Sequence, residues 1–225
     1  EDPDFEQEKG EEEAPGVEEE EPKARVVEFF GGKRSFELEK IPHVGPVDAP
    51  HVLLKFFDYT CASCRDMHGD LEALQKAYPG QFCIILLPTP LNRGCNPHMT
   101  NRMPDHKDAC EISRLALGVW RKNPESFEKV HHALFERRPK SLAQAESIVG
   151  ELVAGFDSAE ALKDPWIETQ LQEDFSDFRL LTQNSPKMPK LVFTDATVMH
   201  GISRKTEIFL EVMTDKFGVT GEEGE

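Results

Sequence analysis

The chain has 225 residues, with 42 acidic against 26 basic side chains and a net charge of −16. That length suits one large or two small domains with a real core. The acidity argues against nucleic acid as a partner, because a phosphate backbone needs a basic face, and no run reaches the roughly 18 apolar residues of a membrane span.

The charge is uneven: the first 25 residues carry −9 and the remaining 200 carry −7. Residues 1–25 hold almost no large apolar side chain and read as an acidic disordered tail or linker. Residues 219–225, with Glu222, Glu223 and Glu225, read as a second acidic tail. A chain that opens on Glu1 rather than Met reads as a processed protein or a fragment, and a signal peptide or membrane anchor could have preceded it.

Val26 to Phe30 and Arg34 to Lys40 alternate about Gly31-Gly32, which predicts a hairpin. Ile41 to Pro50 is a connector. Val52 to Phe57 is an apolar run of strand length, the pattern of a buried central strand. After Cys61-Ala62-Ser63-Cys64, the spacing of Met67, Leu71, Leu74 and Ala77 predicts a helix that Pro79-Gly80 stops. Phe82 to Leu87 is a second apolar strand, so the three elements form a βαβ unit with a parallel pair. Leu91 to Lys107 has no period and reads as loop. Helices are expected at Cys110 to Trp120, Pro124 to Phe135 and Ser141 to Val153, the last capped by Ser141, and over most of Ala159 to Leu181 with a break or start at Pro165. Trp120, Phe127, Leu134 and Phe135 read as core; in His131-His132 one ring faces the core and the other water. So much helical chain is too long for a loop and predicts an insertion. Leu191 to Thr194 and Thr197 to His200 form a hairpin about Asp195-Ala196, and Glu207 to Phe217 a closing helix.

The first cysteine pair lies where a strand ends and a helix begins. Free N–H groups and the positive end of the dipole there favour an anion, which lowers a cysteine pKa from about 8.5 toward neutrality. Two intervening residues keep the sulfurs within bonding reach. Cys61, at the exposed start, would attack a partner, and Cys64, one turn deeper, would resolve the mixed disulfide. A metal site using Cys61, Cys64 and His68, or a purely structural disulfide, are the alternatives.

The segment Phe56-Phe57-Asp58-Tyr59-Thr60-Cys61-Ala62-Ser63-Cys64-Arg65 resembles the active-site segment of DsbA-like thiol–disulfide oxidoreductases of the thioredoxin superfamily. The resemblance covers about residues 26–218 in element order. It implies an α/β thioredoxin-like fold: residues 26–90 as its N-terminal βαβ half, 91–183 as a helical insertion, and 184–218 as its ββα C-terminal half. It further implies that Pro189 is a cis-proline beside the cysteines and that Met188 offers its backbone to an extended substrate.

The sequence departs from that family at three points. Ala62-Ser63 replaces central dipeptides such as Pro-His, so a histidine stabiliser of the thiolate is missing and Ser63 stands in its neighbourhood. Lys55 occupies the place, six residues before Cys61, where a buried acid is common. A buried ammonium would favour the thiolate, whereas a lysine that snorkels to the surface would not. Met188 replaces Thr or Val.

Cys95 and Cys110 bracket a segment with little core potential and read as a structural disulfide, with two free thiols the alternative. His98 and His106 in that loop could instead join them on a metal. Cys83 reads as a buried inert thiol. Two pairs and a buried cysteine fit an oxidising compartment, the periplasm or cell exterior. The reading is an extracytoplasmic thiol–disulfide oxidoreductase acting on cysteine-containing proteins through Cys61, Cys64 and Pro189. It calls for no organic cofactor and no metal. By resemblance to some relatives, a quinone-linked membrane enzyme would serve it, with the acidic segment as a tether. A non-catalytic thioredoxin-fold chaperone is the third reading.

Overall fold

The computed structural model describes residues 24–99, 106–182 and 187–220. Most of the acidic N-terminal segment, the end of the C-terminal acidic tail, part of the loop after Leu91 and the four residues 183–186 lie outside the described residues.

Strand β1 (Val26–Phe29) pairs antiparallel with β2 (Arg34–Glu37). Phe30, Gly31 and Gly32 turn the chain between them at positive φ. A short 3₁₀ turn (Leu38–Lys40) leads to β3 (His43–Val44), which lies inside the expected connector. Two residues are too few to show a period. β3 exists because its backbone completes the edge of the apolar strand β5 (Phe82–Pro88), pairing His43 with Ile85. Gly45 closes the bend after it at positive φ, where a Cβ would collide with the Phe82 carbonyl.

The main sheet has the order β3-β5-β4-β6-β7. Strand β4 (His51–Phe57) runs parallel to β5 and antiparallel to β6 (Lys190–Phe193), and β7 (Val198–His200) closes the other edge. Helix α1 (Ala62–Ala77) makes the crossover from β4 to β5.

Between β5 and β6 lie α2 (Ala109–Lys122), α3 (Pro124–Arg137), α4 (Leu142–Leu152), the one-turn α5 (Ser158–Ala161) and α6 (Pro165–Thr182). The Ser141 hydroxyl accepts from the Gln144 amide at 3.3 Å and starts α4, and Pro165 opens α6. Helix α7 (Thr206–Phe217) ends the fold.

The side-chain period of two sorts the central strands onto two faces. Leu53 and Phe57, with Ile84, Leu86, Leu191 and Phe193, pack under α1, α7 and helices α2 to α4. Val52, Leu54 and Phe56, with Ile85, Leu87 and Val192, face the β1–β2 hairpin and the end of α6, where Phe178 and Leu181 are buried. The helical segment therefore straddles the sheet. Arg34 ties hairpin to helix through Asp177 at 2.8 Å and Glu173 at 3.0 Å. The result is the expected thioredoxin-like α/β arrangement with helices intervening between β5 and β6. Among the described residues no helix is long and apolar enough to cross a membrane.

Candidate active site

Strand β4 delivers Asp58, Tyr59 and Thr60 to the end of the sheet, and Cys61 is the N-cap of α1. The Asp58 carboxylate builds the turn: it accepts from the Thr60 amide and hydroxyl and from the Leu91 amide, each at 2.6 Å. Cys61 then takes the capping position usually held by Ser or Asp, its Sγ accepting from the Cys64 amide at 3.4 Å. The Asp58 amide points at Cys64 Sγ, 3.5 Å away. Cys61, Cys64 and Cys83 are unpaired thiols.

The pair is electrostatically split. Cys61 is held down at about 6, below its ordinary 9.0. The largest cause is the hydrogen bond from the Cys64 thiol; the Ser63 hydroxyl and the Cys64 amide add to it, against burial and the Asp58 carboxylate. Cys64 is pushed well above the ordinary value, first by burial and then by its bond to Cys61. The exposed start expected for Cys61 needs correction. It is only 6% exposed because its sulfur turns inward to cap the helix, but Cys64 is fully buried, so solvent meets Cys61 alone.

The Met188–Pro189 peptide bond is cis. Strand β6, anchored on β4 by the Phe56–Lys190 pairing, brings this bond to the cysteines. The Ser63 hydroxyl donates to the Met188 carbonyl at 3.2 Å and lies 3.3 Å from Cys61 Sγ. A hydroxyl has one hydrogen. While Cys61 is a thiol, its S–H can donate to Ser63 and Ser63 to Met188. Once Cys61 is an anion, that single hydrogen can serve the sulfur or the Met188 carbonyl but not both.

Lys55 is fully buried on the face beneath α1, so it does not snorkel. Its Nζ has no hydrogen-bond partner among the described residues and sits over the rings of Phe135 at 4.7 Å and Phe57 at 5.2 Å. Burial lowers its pKa to about 8, while Cys64, Glu72 and Cys61 favour its charged form.

His106, from the loop before α2, contacts Thr60 Oγ1 at 2.6 Å and Asp58 at 3.3 Å. His131 Nδ1 shares a hydrogen bond of 2.9 Å with the Tyr59 hydroxyl. Neither residue carried a sequence signal for this site. Asp58 did, as part of the Phe56 to Arg65 segment.

Cys95 and Cys110 are joined by a disulfide, which removes both as partners for His98 and His106 on a metal. Cys83 is fully buried in β5, and burial pushes its thiol up to about 12. The alternative trio Cys61, Cys64 and His68 does not converge. Among the described residues the one group of three with ligand atoms within 4.8 Å of one another is His68, Glu72 and His132. Cys61 and Cys64 turn toward Asp58 and Ser63 instead.

The model of a thioredoxin family matches residues 37–185. Disulfide bond formation protein D of Bacillus subtilis is 28% identical over 100 residues, 44% of this chain and 40% of that protein, so the match spans well under half of the curated relative. Three solved structures share the fold. The thiol-disulfide exchange protein alpha-DsbA2 of Wolbachia pipientis matches at a TM-score of 0.59 and 21% identity, over 78% of this chain and 86% of that one. A periplasmic thioredoxin-like protein of Salmonella enterica matches at 0.60 and 20%, over 80% and 92%. Oxidised BdbD of Bacillus subtilis matches at 0.58 and 18%, over 85% and 95%.

Proposed function

The chain belongs to the thioredoxin family, and from that premise we propose that it is a thiol–disulfide oxidoreductase exchanging disulfides with cysteine-containing proteins. The observation that carries the reading is the division of labour within the pair: a slightly exposed Cys61 held as an anion near neutral pH, and a buried Cys64 held as a thiol.

In the reducing direction the Cys61 thiolate attacks a substrate disulfide, forming the Cys61–substrate bond and releasing one substrate thiolate, which takes a proton. Cys64 then loses its proton and attacks Cys61 Sγ. The internal disulfide closes, and the second substrate thiolate leaves with two electrons now on the substrate. Oxidation of a dithiol substrate is the reverse sequence. Lys55, whose charge is coupled to Cys64, is a buried ammonium that favours the Cys64 thiolate as its proton leaves. Met188 beside Pro189 offers its carbonyl to an extended substrate once Ser63 turns to the sulfur. Recognition through main-chain groups tolerates many sequences. The Cys95–Cys110 disulfide supports an oxidising, extracytoplasmic setting, in which a membrane thiol oxidase or reductase would reset the pair.

A glutathione titration of the full chain should show Cys61 and Cys64 converting together between dithiol and disulfide, with loss of exchange on a disulfide-bonded peptide in Cys61→Ala. Retained exchange in that variant, or a pair that does not cycle, defeats the reading.

A further inference from the structure

Beneath the cysteine pair, α1 and α3 bring together three groups from two distant parts of the chain. His68 and Glu72 lie one turn apart on α1 and His132 on α3. His132 Nδ1 is 2.8 Å from Glu72 Oε1 and 3.2 Å from His68 Nε2, and His68 Nε2 is 3.6 Å from Glu72 Oε2. Ligand atoms around a tetrahedral zinc ion stand about 3.3 Å apart, given bonds of about 2.0–2.2 Å. The three separations, 2.8, 3.2 and 3.6 Å, bracket that spacing.

The surroundings also suit an ion. The other nitrogen of His132 faces Glu128 Oε1 at 3.6 Å, the carboxylate–histidine pairing that orients a metal-bound imidazole. His68 is stacked on Phe135, with ring centroids 4.5 Å apart, which fixes its ring. The three groups line a cavity of about 10 Å³, room for roughly one water-sized occupant. Lys55 lines the same cavity, fully buried and with its Nζ lacking any hydrogen-bond partner among the described residues. A water or hydroxide on a metal would give that ammonium an acceptor, and the carboxylates of Glu72 and Glu128 offset the added positive charge.

We propose that His68, Glu72 and His132 bind a zinc ion, through two imidazoles, one carboxylate and a fourth position open to water on the Lys55 side. Two histidines with one carboxylate and an open position is a donor set zinc accepts. The ion would clip α1 to α3 without using either cysteine, so the site stands or falls separately from the oxidoreductase reading.

The test uses the full chain with Cys61–Cys64 oxidised, which removes thiolates as competing ligands. Zinc is added as chloride, followed by calorimetry, metal analysis after dialysis, and X-ray absorption at the zinc edge. The expected result is one zinc per chain with only nitrogen and oxygen neighbours. Glu72→Gln and His132→Gln, at partly exposed positions that need not disturb folding, should each weaken binding by at least about tenfold. Circular dichroism without metal checks that both variants are folded. No binding by the parent chain, sulfur among the neighbours, or undiminished affinity in both folded variants overturns the proposal.

Discussion

Each of the two cysteine pairs has a member at the start of a helix, and they differ in what is aimed at the sulfur. Cys61 is the N-cap of α1, with the Cys64 amide and the Ser63 hydroxyl directed at it. Cys110 lies in the first turn of α2, but its sulfur is bonded to that of Cys95, and the Asn92 carbonyl, an acceptor, lies 4.0 Å from it and 3.8 Å from the Cys95 sulfur. A helix start therefore does not make a reactive cysteine by itself. The sulfur must occupy the cap, where donors converge, and must keep a partner that stays protonated. The first pair meets both conditions, whereas the second is already closed and ties a loop to a helix.

Breaking the second pair should cost most in stability. Cys95→Ala/Cys110→Ala opens a 15-residue separation and should lower unfolding free energy by roughly 3 kcal/mol in a denaturant titration. The Cys61 alkylation rate should stay as it was; a shifted rate would mean that the two pairs are coupled. In the intact chain, alkylation of Cys61 should titrate with a midpoint near 6. Stability of the reduced fold follows the same proton. Below about 6 the thiol is protonated folded or unfolded and contributes nothing. Between about 6 and 9.0 only the folded chain holds the anion, so the reduced form gains stability as pH rises and loses it as pH falls back through 6. Unfolding of the reduced chain at pH 5 and pH 8 measures this directly.

Ser63→Ala removes one donor and should raise that alkylation midpoint, leaving roughly tenfold less thiolate at pH 5, the equivalent of about 1.4 kcal/mol. Lys55→Met should raise it too, by a smaller, roughly few-fold loss of thiolate, since the charge of Lys55 is coupled less to Cys61 than to Cys64 and Glu72 and is itself weakened by burial. An unchanged or lower midpoint would rule out the buried ammonium as a support for the anion.

What the sequence disclosed follows from the range of each signal. The strand–helix–strand unit around Cys61 was legible because Val52 to Phe57 and Phe82 to Leu87 are apolar runs of strand length and Met67 to Leu74 carry a helical period. The Ser141 cap and the Pro165 start are equally local. β3 was not legible, since only the edge of β5 makes two residues a strand. Nor was the inward turn of Cys61, which depends on how its sulfur caps α1. Lys55 could be read as buried or snorkelling until Phe57 and Phe135 were placed around it. The meeting of His68 with His132 lies further out of reach. Their adjacency is created by the packing of α3 on α1, and neither helix alone points to it.

The contact between Ser63 and Met188 spans 125 residues. During synthesis α1 and its thiols emerge long before β6 exists to lie against β4. Until that strand is made, the proposed docking edge is absent and the serine has no carbonyl to hold. Long-range strand pairing slows folding, and here it also sets a timetable: the nascent polypeptide gains the recognition surface we propose only when nearly the whole domain has been assembled.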